Sequence, residues 1–457
     1  MAGIGFQLRK VIGTGDLSQT LGAALSGIFI VAGPWLMSIV SISLIRFAFS
    51  RTDFAYSLVF QSSIIYCYAL SISLFAGFHQ HFSRLVSDLI WENRQNEAST
   101  WLLRFCVFAA LLAALIASAA MAVLRFDLPV EAISYQFSVV ILFVVLNVMW
   151  LVMLFVSMLR RYWSILAIFA FGMALSVALV AWWSTRWGVG GAVLGFAAGH
   201  AATVTGLLIL SLSRFPPSKP KGGFKVAVVY ARKYSALIFT GFFYYSGQWV
   251  DKVFFWATRG SAVPGTPFRL YDTYDVPVYL AGLSIIPGLV YFVVYSETEI
   301  FSSIQHFLYS LIHGTWIKIS EAKQKLTADI RTELRDQSIF QLFFSALAAF
   351  ILAGFSKDDT ARYILLITIA GAFFQFTLMT LLNFMYYFEL YNKTMTAALL
   401  FLVLNGLVCP AIYSFFPSLL PGTGFLVSAA LACLLAWRFL SSSIEYIDRS
   451  IYLKSLI

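Results

Sequence analysis

YYSGQWVDKVFFW, residues 244–256, sets Asp251 and Lys252 side by side inside a run otherwise long and apolar enough to cross a bilayer. A charge near the bilayer centre costs at least ~2.5–3.5 kcal/mol on insertion scales. A chain keeps such a pair only where its surroundings offset that cost. Of the 457 residues, 60% are hydrophobic and 11% charged, against roughly 25% charged in an ordinary soluble domain. The chain therefore reads as an integral membrane protein, organised in spans of ~20 apolar residues.

Runs of that length occur near residues 20–46, 54–78, 101–124, 135–159, 163–183, 188–212, 234–258, 276–296, 338–355, 361–387, 394–416 and 420–440. The expected fold is all-α, with about twelve transmembrane helices. With the N-terminus in the cytoplasm, most of the 31 lysines and arginines fall in inside segments, as the positive-inside rule requires. Both termini are then cytoplasmic. Topology accounts for the net charge of +10, and no nucleic-acid partner is needed. The opening MAGIGFQLRKVIG lacks the order of a cleaved signal and reads as a helix lying on membrane lipids.

The segment SRFPPSKPKGGFKVAVVYARKY, between the sixth and seventh runs, is rich in proline, glycine and positive charge. It reads as a hinge-like linker, residues 214–233, between an N-terminal six-helix half (1–213) and a C-terminal six-helix half (234–457). The halves echo each other faintly. Gly33-Pro34-Trp35 answers Gly247-Gln248-Trp249, and Leu146-Asn147-x-Met149 answers Leu382-Asn383-x-Met385. Two related halves around a central cavity is a recurring transporter design.

Two segments, 79–100 and 297–337, are too polar to span and read as amphipathic helices. Leu326, Ile330 and Leu334 make a stripe on the second, open to two readings: a strut at the membrane surface, or a docking face for a cytoplasmic partner. No phosphate-binding loop is present, and His79-x-His81 lacks partners at metal-binding spacing. No cofactor or metal is expected. The longest soluble stretch falls short of the ~50 residues that a small catalytic domain needs, so the chain is expected not to be an enzyme. The four cysteines lie in apolar runs and read as small buried hydrophobes.

What remains is polarity within the spans. Residues three and four apart share a helix face, so Tyr244, Gln248 and Asp251 form one stripe beside Gly247, with Lys252 about 100° round. Either Lys252 snorkels outward while Asp251 makes a structural hydrogen bond, or both line a wet transport cavity; the second is favoured because intramembrane charges usually face a cavity. Asn147, Asn383, Gln375 and Asn405 read as packing hydrogen bonds, with a cavity role open. Trp35 and Trp249 could stack on flat sugar faces. Gly33-Pro34 and Pro287-Gly288 interrupt their spans, with Pro277 at the start of the latter, and mark expected hinges.

The opening MAGIGFQLRK, the AGPW of the first run and the WVDKVFFW of the seventh resemble the family of bacterial inner-membrane exporters of Pel exopolysaccharide. That family belongs to the multidrug/oligosaccharidyl-lipid/polysaccharide flippase (MOP) superfamily. The resemblance implies export of a galactosamine-rich polymer made by a cytoplasmic glycosyltransferase, with other Pel inner-membrane proteins as partners. A lipid-linked oligosaccharide flippase, a drug/cation antiporter in which Asp251 binds a proton or sodium ion, and a scaffold for a synthase complex are the competing readings. Flippases of anionic lipid-linked sugars often carry several basic residues in the cavity. Here Lys252 is the only intramembrane cation, which suits a neutral or cationic glycan better.

Overall fold

Apolar runs bounded by glycine, proline and charge become helices here because lipid leaves the backbone no other way to satisfy its hydrogen bonds. The computed structural model describes residues 54–446 apart from 128–131, 157, 158, 160, 221, 356 and 357, together with Ser43. The expected first span, with Gly33, Pro34 and Trp35, and the expected N-terminal surface helix lie outside the described residues. Among the described residues, nine helices are long and apolar enough to cross a membrane, or ten if one bent pair forms a span. The expected all-α membrane architecture is present; the number twelve is not established.

The chain divides at Asp272/Thr273 into two compact units. The N-terminal unit holds α1 (Phe54–Trp91), α2 (Gln95–Val123), α3 (Ala132–Val156), α4 (Tyr162–Arg214), α5 (Lys225–Lys233), α6 (Ser235–Arg259) and a two-residue hairpin, β1 (Ser261–Ala262) with β2 (Arg269–Leu270). This division by contacts differs from the sequence division at 214–233, because the expected seventh span, α6, packs along α1. A Cβ on Gly77 would meet the Ile238 carbonyl at 2.7 Å, and one on Gly241 would meet the Ala76 carbonyl at 2.9 Å. Small residues thus let the two backbones touch, the usual way helices associate where lipid removes the hydrophobic drive.

The fifth and sixth expected spans appear as the 53-residue helix α4, broken by non-helical Trp187 and by Gly188 at φ 54°, ψ −140°. Its arms fold back on each other. Gly191 lies under the Trp183 carbonyl, Gly195 under Leu179, and Gly199 under Ser176. Glycine recurs at four-residue steps on that face, which lets the arms meet at backbone distance. The linker is less free than its composition suggests. Ser218 N donates to Asn96 O at 3.2 Å, Thr100 Oγ1 donates to Ser218 O at 2.6 Å, and α5 then forms a short helix bent 71° from α6.

The C-terminal unit holds α7 (Asp272–Leu283), α8 (Ile286–Tyr291), a π-turn (Phe292–Ser296), α9 (Glu297–His313), α10 (Trp316–Phe355), α11 (Asp359–Tyr387), α12 (Tyr391–Val403), a second π-turn (Leu404–Val408), α13 (Cys409–Phe415) and α14 (Thr423–Glu445). The segments expected as separate amphipathic helices are extensions of spanning ones. At about 1.5 Å per residue, the 38 residues of α1 and the 40 of α10 far exceed a ~30 Å hydrocarbon core. The 79–100 segment is the end of α1, a turn, and the start of α2; Arg94 holds the turn by ion pairs to Glu92 and Glu97.

The docking reading of the Leu326/Ile330/Leu334 stripe is corrected here. Leu326 and Ile330 are 0% exposed and Leu334 is 7% exposed. The stripe lies in the contact between α9 and α10, which also buries Ile300 and Phe307 of α9. An apolar stripe on one helix was covered by its neighbour in the same chain.

Candidate functional site

The buried face of α6 carries Thr240, Tyr244, Gly247, Asp251 and Phe255, a run of three- and four-residue steps, with Lys252 and Trp256 flanking it. Asp251 is 4% exposed and Lys252 9%, so the ammonium does not snorkel outward. Its stem turns back along the helix instead. Nζ donates to the Gln248 carbonyl at 2.6 Å and to Asp251 Oδ1 at 3.2 Å, and lies 5.6 Å from the Trp249 ring centroid. Opposite charges thus lie side by side, the cation also held by a backbone carbonyl and an indole face. Gln248 meets the pair through its main-chain carbonyl, which accepts from Lys252 Nζ.

α6 is held in place at both ends. Ile238 meets Gly77 of α1. At the other end Tyr66 of α1 stacks between Trp256 and Phe268, with centroids at 4.6 and 4.5 Å. Its hydroxyl donates to Arg269 O at 3.0 Å and accepts from Arg269 N at 3.2 Å. These two contacts bracket Asp251 and set it opposite the stretch of α1 between Tyr66 and Gly77, nearer Tyr66.

The other expected site residues are scattered. Tyr244 shares the buried face of α6, with its ring edge-on to Tyr245 at 5.3 Å. Trp249 is half-buried and engaged by Lys252 and, at 6.3 Å, by Trp256. Asn147 stands on α3, which packs chiefly against α1, α2 and α4. It is 0% exposed, its amide donates to Phe143 O at 2.8 Å, and its Oδ1 has no hydrogen-bond partner among the described residues. Asn383 likewise donates to Met379 O, one turn back. Trp35, Gly33 and Pro34 fall outside the described residues. Pro287 and Gly288 lie in the first turn of α8, which starts at Ile286 just after α7 stops at Leu283. All four cysteines are buried free thiols.

Two polar groupings went unread in the sequence. In the N-terminal unit, His200 Nδ1 lies 2.9 Å from Phe196 O, which can only accept, so Nδ1 carries the proton and Nε2 accepts from Tyr68 Oη at 2.8 Å. Trp150 packs its edge on Tyr68 and donates Nε1 to Ser71 Oγ at 3.1 Å. In the C-terminal unit, Gln337, Gln341 and Ser345 line one face of α10 at four-residue steps, all buried. Gln341 Nε2 donates to the Ser284 carbonyl at 2.9 Å, at the break between α7 and α8. Gln337 joins Ser296 of the first π-turn to Thr380 of α11. The break is thus braced from α10, and Gly288 leaves room for Gln341 Oε1, which a Cβ would meet at 2.1 Å. Four-residue spacing could have revealed the glutamine stripe. His200 and Tyr68 are 132 residues apart, and no local signal joins them.

The helices share the fold of MATE-type transporters of the MOP superfamily. A mutant of the Vibrio cholerae MATE transporter VcmN superposes with a TM-score of 0.64 at 13% identity, over 97% of this chain and 99% of that one. The same transporter in its bent form gives 0.62 at 12%, with the same coverage. A MOP superfamily transporter from Pyrococcus furiosus gives 0.53 at 11%, over 98% and 99%. No curated protein sequence matches the chain. The sequence profile of the PelG family, described as "Putative exopolysaccharide Exporter (EPS-E)", matches residues 1–452, and the chain belongs to that family. It is a multi-pass membrane transporter and not an enzyme.

Proposed function

We propose that the chain exports an exopolysaccharide of the galactosamine-rich Pel type across the bacterial inner membrane, as a cytoplasmic glycosyltransferase makes it. Both termini and the 214–233 linker are cytoplasmic in this reading, and other Pel inner-membrane proteins assemble with it. Halves 1–213 and 234–457 are related repeats. Asp251 and Lys252 flank the polymer path, with Gln248, Tyr244 and Trp249 from the same helix and with Trp35 and Asn147. Gly33-Pro34 and Pro287-Gly288 are the points where spans flex.

The observation that carries the reading is the buried Asp251–Lys252 pair in a chain of an exporter family. The carboxylate beside the ammonium offsets the positive charge that a pyrophosphate would need, which counts against a lipid-linked oligosaccharide flippase. An ammonium already bound to Asp251 competes with any proton or sodium ion, which counts against a cation antiporter. A neutral or partly cationic glycan meets neither obstacle. The test is export by a strain whose only Pel components are this chain and its glycosyltransferase. Polymer outside the cells supports the reading; polymer retained in the cytoplasm at normal levels of both proteins, even once the other Pel inner-membrane proteins are restored, refutes it.

A further inference from the structure

From Ala132 to Val250 the chain carries no aspartate or glutamate, while arginine and lysine recur at 160, 161, 186, 214, 219, 221, 225, 232 and 233. Arg161 and Arg214 stand at the two ends of α4. There Leu159, Arg161, Leu210 and Arg214 line a cavity of about 190 Å³. Leu159 is buried, while both arginines are exposed, and neither guanidinium has a side-chain partner among the described residues. Two unpaired guanidiniums over a leucine-walled cavity present the planar donor forks that match phosphate oxygens.

The cavity opens beside apolar surface rather than beside a polar cleft. Trp163, two residues from Arg161, is 71% exposed, and Ile209, next to Leu210, is 61% exposed. A tryptophan at the end of a spanning helix sits at headgroup depth. The short helix α5 gives an independent indication. Its inner face buries Ala227. Its outer face exposes Phe224, Val228 and Val229 among Lys225, Arg232 and Lys233, and it turns 71° from the spanning α6. A basic amphipathic helix at that angle lies nearly along the membrane plane.

We propose that Arg161 and Arg214 seat the phosphate of an anionic phospholipid, whose acyl chains run along the lipid-facing side of α3 and α4, while α5 rests on the headgroups of the same leaflet. The occupant is a lipid and not a soluble phosphate compound, because the cavity walls are leucine and its mouth adjoins Trp163 and Ile209. Anionic headgroups attract each nearby lysine or arginine, so losing two should weaken binding on the order of 10-fold at low salt.

The test is thermal unfolding of the purified, delipidated full chain titrated with phosphatidylglycerol, phosphatidylcholine or glycerol phosphate. Wild-type protein should be stabilised at phosphatidylglycerol concentrations on the order of 10-fold lower than phosphatidylcholine. R161Q/R214Q should unfold at the wild-type temperature without lipid and lose that preference. K225Q/R232Q should keep the cavity's preference but bind anionic vesicles less well as salt rises. Glycerol phosphate stabilising as well as phosphatidylglycerol would make this a soluble-anion site and overturn the proposal. So would an R161Q/R214Q variant that keeps the phosphatidylglycerol preference.

Discussion

Asp251 and Lys252 are buried together, and either charge buried alone would cost more than the pair. Removing one partner of a buried pair typically costs about 3–5 kcal/mol, while removing both is far milder. At 4% and 9% exposure, water screens neither. Asp251→Asn and Lys252→Met are each expected to lower the unfolding temperature in detergent clearly, and the double substitution should recover part of that loss. Strict additivity in this cycle would mean that the two charges are not coupled. The stripe on α6 was legible because three- and four-residue spacing is fixed by the helix. That Lys252 would bond the Gln248 carbonyl was not, because a long stem chooses between several acceptors within reach. His200 was passed over for another reason: its partner Tyr68 comes from a different helix.

Among elements, the sequence marked where lipid is crossed better than where helices end. Apolar runs reveal spans, whereas polar extensions such as residues 79–91 of α1 and 316–337 of α10 keep helical backbone beyond the membrane by packing on neighbours. The Leu326/Ile330/Leu334 stripe shows the ambiguity: its spacing is the same whether a partner or α9 covers it. Since α9 covers it, replacing all three with serine should destabilise the α9–α10 hairpin by several kcal/mol, each site losing about 2–5 kcal/mol as for a core Leu→Ala change. The expected result is faster proteolysis within residues 297–337, and a fully protease-resistant hairpin would contradict the packing. The α4 hairpin allows a sharper test. A Cβ on Gly195 would lie 2.7 Å from the Leu179 backbone, so Gly195→Ile must push the arms apart, at a cost of 1–3 kcal/mol or more by the usual scale of overpacking. Unchanged thermal stability in that variant would mean that the arms are not in backbone contact.

For the whole molecule, composition and run lengths were enough to give the class, since bilayer thickness fixes helix length whatever the sequence details. The placement of α6 was not readable. The linker reading of 214–233 and the division by contacts at Asp272/Thr273 differ in where they put α6, because backbone-level packing of Gly77 and Gly241 ties α6 to α1. Orientation is a separate matter, carried by the bias of lysine and arginine. A periplasmic reporter fused at Pro217 is expected to be inactive and a cytoplasmic one active; the reverse pattern would invert the topology.

The central claim is that Asp251, paired with Lys252, works on the polymer path and is not merely part of the packing of α6. Polymer export should therefore be measured in the minimal strain carrying Asp251→Asn together with Lys252→Met, with membrane levels of the protein matched to wild type. The pair's loss is expected to abolish or sharply reduce extracellular polymer while the folded protein persists. Export at the wild-type rate from that doubly substituted protein would contradict the account.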